Sequence, residues 1–233
     1  MNYDSSVLSV RYPDDTRHLQ SEIEGTDICE IGRSFLGSAL SQSYVGIYFL
    51  EHYVEAKRFQ YVVEFGSHAG AVSLYLANSA AVSQRFYFDT YELYPQWSWY
   101  AGSDDHEWEV SDLYGWKGWN GCGPWFEQLS KISPFINFHH ADGLSSESID
   151  HVVGNISDKK TFLFCDGGNK VDEFNTYAPL IKKGDCIAVH DWDTEIFEHQ
   201  IQDVCDEHSL QPDGHWAEHH YKLGTGIMPF VKV

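Results

Sequence analysis

The chain has little positive charge. Of its 233 residues 15 are Lys or Arg and 35 are Asp or Glu, for a formal net charge of −20. A surface this acidic repels phosphate backbones and argues against nucleic acid as a substrate. Long apolar runs are missing as well. No window approaches the ~18 consecutive apolar residues of a membrane span, so no membrane association is expected. The first fifteen residues lack the apolar stretch of a secretory signal, and a cytoplasmic location is expected. Cysteine is sparse: Cys29, Cys122, Cys165, Cys186 and Cys205 are odd in number and share no short spacing. That pattern predicts neither a disulfide framework nor a C-x-x-C metal site. Cys165 and Cys186 sit in apolar runs and read as buried free thiols. No repeat or low-complexity linker divides the sequence, which predicts a single domain over 1–233.

What is present alternates. Apolar runs at 60–65, 86–90, 136–140, 161–166 and 186–191 read as strands. Helical spacing recurs at 69–79, 124–132, 146–157, 171–181 and 194–206. Alternation of this kind predicts an α/β fold: a doubly wound, mostly parallel, Rossmann-like sheet covered on both faces. Upstream, residues 38–57 show helical spacing, the end of an N-terminal helical extension over 1–58. The tail predicts two strands, 218–223 and 227–233, around Gly224-Thr225-Gly226, closing the sheet with an antiparallel hairpin. Ligands of such sheets bind beyond the carboxyl ends of the strands, so the last residues of each strand are the candidates.

The first main strand ends Val63-Glu64-Phe65-Gly66-Ser67-His68-Ala69-Gly70. A dinucleotide fingerprint starting at Gly66 requires glycine at 68, where His68 stands. This disfavours the alternative of a nicotinamide-dependent oxidoreductase. The pattern acid-x-Gly-x-x-x-Gly, Glu64, Gly66 and Gly70, resembles motif I of the class I S-adenosylmethionine-dependent methyltransferases. In that family the acid and the loop, here Glu64, Gly66, Ser67, His68 and Gly70, hold the amino-acid end of the cofactor. The second strand carries Asp89, which could accept the ribose hydroxyls or cap a helix, with Glu92 as the fallback. After the third strand, Asp142 could receive the adenine amino group or form a turn before Gly143.

Two later strands end in acids, Asp166 and Asp191, with His190 beside the second. Adjacent parallel strands bring these carboxylates over one cleft, where they must share a cation or a proton, or repel. An oxygen-rich pair suits Mg²⁺. The runs FLFCDGGNK and YAPLIKKGDCIAVHDW resemble the DGxH and PLLxxGGxIxxHDW stretches of the cephalosporin-hydroxylase-like and macrocin-O-methyltransferase-like branch. The resemblance, over about 35–192, implies a divalent metal held by Asp166 and Asp191, with His190 as ligand or base. It implies Asp166 at the cofactor too. Asn169 stands where the branch commonly has His, so the base falls to His190 or Lys170, or to the metal alone. A cofactor-binding relative without catalysis is the alternative. The N/D-P-P-Y/F motif of amino-group methyltransferases is missing.

The resemblance therefore implies an S-adenosylmethionine-dependent, Mg²⁺-assisted O-methyltransferase of a small hydroxylated acceptor (sugar, polyol or phenol), forming a homo-oligomer as relatives often do. Six of the eight tryptophans fall within 97–125, in an insert at 94–125. They could form a stacking wall for substrate or the insert's own small core. His215, His219 and His220 are expected at the surface of a strand rather than in a zinc site.

Overall fold

The computed structural model describes residues 34–35, 38–39, 44–67, 70, 72–73, 76, 87–92 and 136–233. The aromatic insert, His68 and the expected helix at 124–132 lie outside these residues. Two short strands, β1 (Ser34–Phe35) and β2 (Ser38–Ala39), pair antiparallel before α1 (Tyr44–Lys57). The helix expected from 38 thus begins at Tyr44. Then follow β3 (Tyr61–Phe65), β4 (Tyr87–Glu92), β5 (Ile136–His140), α2 (Ser146–Ile156), β6 (Thr161–Cys165), α3 (Lys170–Tyr177), β7 (Cys186–Val189), α4 (Glu198–His208), β8 (Leu210–Pro212), α5 (Gly214–Leu223) and β9 (Met228–Lys232). Val72, Ser73 and Leu76 are helical, on the segment after β3.

The main sheet has the order β5-β4-β3-β6-β7-β9-β8. The first five strands run parallel, β9 pairs antiparallel with β7, and β8 pairs antiparallel with β9. β3 and β6 are buried at every position, which is why they read as continuous apolar runs. Successive side chains leave opposite faces. Val62, Phe162, Phe164 and Ala188 pack with Phe49, Leu50 and Tyr53 of α1 on one face. Val63, Leu163 and Ile187 pack with Val152 of α2, Phe174 of α3 and Ile201 of α4 on the other. Burying each of the Val, Leu, Ile and Phe side chains among these contributes ~1.5–3 kcal/mol.

The antiparallel closure is present, but its first strand is Leu210–Pro212, and residues expected as a strand at 218–223 are helical in α5. Gly224 is left-handed and receives the end of α5, its N–H donating to His220 O. A left-handed glycine serves a hairpin turn and a helix end equally well, and the helix took it. Asp213 at the start of α5 accepts from Tyr53 Oη at 2.8 Å and pairs with Lys57 Nζ at 2.5 Å, tying α5 to α1. His219 is buried against Phe49 and Trp216 rather than lying at the surface. No described helix is long and apolar enough to cross a membrane.

Candidate active site

The carboxyl ends of β3, β6 and β7 meet at one place. Gly66 has φ +87°, and a Cβ there would lie 2.4 Å from Asp166 O, so only glycine lets the loop pass the tip of β6. Gly66 and Ser67 donate their N–H groups to Tyr91 O at 2.9 and 3.1 Å, and Gly70, also left-handed, donates to Ser67 O. Glu64 is buried beneath this loop. Its Oε2 accepts from Thr90 Oγ1 at 2.7 Å and from Ser73 Oγ, while Oε1 is buried and finds no hydrogen-bond partner among the described residues. Burial pushes the Glu64 carboxyl up to about 8, although the Ser73 and Thr90 hydroxyls pull it down. Ser67 Oγ and Thr90 Oγ1 are hydrogen-bonded.

Asp166, just past β6, hydrogen-bonds His190 Nδ1 through Oδ1 at 2.7 Å. The same nitrogen lies 3.2 Å from Asp191 Oδ2. One ligand atom from each of Asp166, His190 and Asp191 falls within 4.8 Å of the others. Burial alone would lower the imidazole, but the charge and hydrogen bond of Asp166, with those of Asp191, lift it to about 10. Burial likewise opposes ionisation of Asp191, and its His190 and Lys170 partners overcome it and hold the carboxyl at about 2. Asp191 has φ +56°, and its carbonyl accepts the N–H groups of Thr194, Glu195 and Ile196. This tight turn ends β7 early and delays α4, expected from 194, to Glu198.

Lys170 is buried, with Nζ 2.7 Å from Glu195 Oε2 and 3.0 Å from Asp191 Oδ2. Burial would lower the ammonium, and the carboxylates around it raise it above the ordinary lysine range. Lys170 is therefore held as a cation between these carboxylates. Asn169 caps α3: its Oδ1 accepts from Asp172 N at 3.4 Å and its Nδ2 donates to Asp172 Oδ2 at 2.5 Å.

Two expected cofactor contacts stand apart. Asp89 pairs in register with Val63, so its side chain leaves the opposite face from Glu64, three residues before the end of β4. Its carboxylate is engaged by Tyr61, Asn137, His139 and His151. The acid at the strand end is Glu92, half-buried on the Glu64 face. Asp142 is exposed, and its Oδ1 accepts Leu144 N at 2.8 Å, the turn-forming role.

Sequence reasoning missed Thr90, Ser73, Glu173 and Glu195. Glu173 is buried under Gly167, where a Cβ would clash with Glu173 Oε1. Burial raises its carboxyl to about 7 against the Gly167 N–H it accepts. The glycine pair after Asp166 was the available signal for a side chain from below. Gly226 stands next to His190, whose Cδ2 and Nε2 are 3.6 Å from the position a Cβ would take.

No family model matches the sequence, and no curated protein matches it. Solved structures do. An apo structure of CmcI superposes with a TM-score of 0.56 at 12% identity, covering 92% of this chain and 84% of that one. A CmcI structure with SAH gives 0.53 at 11% identity, over 93% and 91%. A CmcI structure with Mg-SAM gives 0.53 at 11%, over 92% and 84%. Sheet order and superposition agree. The chain has the class I methyltransferase fold. In this fold Glu64 lies near the end of β3 with Gly66 and Gly70 in the loop after it, and Asp166 and Asp191 follow the next two strands of the sheet, β6 and β7.

Proposed function

We propose that the protein is an S-adenosylmethionine-dependent O-methyltransferase, assisted by Mg²⁺, that acts on a small hydroxylated acceptor such as a sugar, polyol or phenol. The observation that carries this reading is the convergence of Asp166, His190 and Asp191 beside the Glu64 loop. The site fits the cofactor. Glu64 Oε1 is a buried acceptor without a partner among the described residues, suited to a cationic amino-acid end. It fits a divalent ion too, because the Asp166 and Asp191 carboxylates bring oxygen ligands to one place. CmcI structures of the same fold are with Mg-SAM and with SAH.

Bound cofactor supplies a methyl group on a positively charged sulfur, and Mg²⁺ supplies the charge that lowers the pKa of the acceptor hydroxyl. The chain's own residues do the rest. Glu64 and the Gly66 loop hold the cofactor, and Glu92 takes the ribose role at the end of β4. Asp166 and Asp191 would hold the metal, whose charge would fix the acceptor hydroxyl, and proximity to the cofactor would supply much of the rate. Asp166 engages His190 at Nδ1 and leaves Nε2 as the ring nitrogen able to take the acceptor proton. With both carboxylates turned on it His190 is an imidazolium at neutral pH. A cation shared by those carboxylates would weaken their hold on the imidazolium proton and let His190 serve as base.

A second reading, cofactor binding without catalysis, draws on Asn169, whose amide is committed to capping α3. Calorimetric titration of S-adenosylmethionine, with Mg²⁺ and then with chelator, followed by an acceptor panel, separates the two. We expect binding, metal-dependent product, and loss of that product in Asp166→Asn. Undiminished turnover in Asp166→Asn would remove the metal role, and binding with no product across the panel would favour the second reading.

A further inference from the structure

On the far face of the sheet from Glu64, three elements aim metal-binding atoms at one point. Asp89 of β4 is buried. His139 of β5 places Nε2 2.9 Å from Asp89 Oδ1, and His151 of α2 places Nε2 3.1 Å from Asp89 Oδ2. One donor atom from each of the three lies within 4.8 Å of the others. We propose that Asp89, His139 and His151 form a second divalent-metal site, selective for a borderline transition ion such as Zn²⁺ over Mg²⁺.

The chemistry of the donors sets that preference. Two imidazoles and one carboxylate suit Zn²⁺ or Co²⁺, whereas Mg²⁺ prefers an all-oxygen shell. The site is also supported from outside, as metal sites require. Tyr61 Oη donates to Asp89 Oδ2 at 2.5 Å and Asn137 Nδ2 to Oδ1 at 2.9 Å, which fixes the carboxylate. His139 stacks on Tyr91 with ring centroids 4.5 Å apart and planes 12° apart, which fixes its ring. His151 is the solvent side of the cluster, 42% exposed, leaving room for water to complete the coordination.

The site is separate from the proposed active site. Strand register puts Asp89 and Glu64 on opposite faces. A bound ion would join the edge strand β5, its neighbour β4 and the helix α2, so the role is structural: it clamps the sheet edge. The inference does not depend on the methyltransferase reading.

The test is a Co²⁺ titration of chelator-treated full-length protein in excess Mg²⁺, followed by visible absorption and calorimetry. We expect one Co²⁺ per chain, displaced by Zn²⁺, with a raised Tm. Binding should persist in Asp166→Asn and weaken at least tenfold in His139→Gln and in His151→Gln. His151 is exposed enough that its variant keeps the fold, which circular dichroism verifies. Equal binding in both histidine variants and the wild type would overturn the proposal, as would no binding of Co²⁺ or Zn²⁺ to the folded wild type.

Discussion

Glu64 couples stability, pH and cofactor in a way that one isosteric substitution exposes. Its carboxyl is fully buried and pushed from the ordinary 4.5 up to about 8. An acid raised in the folded state is ionised first in the unfolded chain. Stability is therefore highest below about pH 4.5, falls as pH rises, and levels off above about pH 8. The unfolded and folded carboxyls lie about three and a half pKa units apart, of which roughly two and a half have been crossed by pH 7, at ~1.36 kcal/mol each. The folded state then gives up something of the order of 3 kcal/mol. Glu64→Gln removes the titration. Its amide leaves a donor where Oε1 stood, which costs ~1–3 kcal/mol at every pH, so the readout is the slope and not the offset. Urea denaturation from about pH 5 to 8 should show the wild type losing stability relative to Glu64→Gln by about 3 kcal/mol. S-adenosylmethionine should bind the wild type with release of a proton, its affinity rising up to roughly tenfold per pH unit until about pH 8. Calorimetry in buffers of different ionisation enthalpy reads that proton, and Glu64→Gln should show weak binding and no release. Parallel stability curves for the two proteins would refute the buried, protonated Glu64.

Gly66→Ala puts a Cβ 2.4 Å from Asp166 O at φ +87°; we expect a loss of more than ~1 kcal/mol in stability and at least tenfold in cofactor affinity, by thermal melt and calorimetry. Asp213→Ala leaves the buried Tyr53 hydroxyl without its acceptor; a loss of ~1–3 kcal/mol with cofactor affinity unchanged is expected from the same two measurements. Lys170→Met removes a cation 3.0 Å from Asp191 Oδ2. A unit charge about 4 Å away at an effective dielectric near 20 is worth ~4 kcal/mol, and the partial exposure of Asp191 reduces this. We expect Mg²⁺ affinity to rise at least tenfold by calorimetry, and unchanged affinity would show that Lys170 is not felt at the site.

The sheet was legible because burial on both faces leaves apolar runs that no other element of that length produces. β5 matches its expected bounds, and β3 and β6 differ from theirs by one residue. The strand-end acids of β6 and β7 were legible for the same reason: the first polar residues after a buried run, Asp166 in one and His190 with Asp191 in the other, mark the tip. β4 misled, because its run is Tyr87-Phe88-Asp89-Thr90-Tyr91-Glu92, and the first acid there is inside the strand. A buried carboxylate in mid-strand is affordable when histidines on the neighbouring strand and the covering helix reach it, and those partners lie 50 and 62 residues away. Strand parity carries information that proximity in sequence does not. Once β3 and β4 pair Glu64 with Thr90, Asp89 must face away, and the hydroxyl that steadies Glu64 follows from the same register. Parity constrains only strands, however. α5 repeats aromatic and charged residues at a spacing that also reads as alternation, and its identity is decided by Asp213 fastening its start to α1 and by Gly224 ending it. Those contacts are tertiary, so a local pattern alone could not have chosen helix over strand.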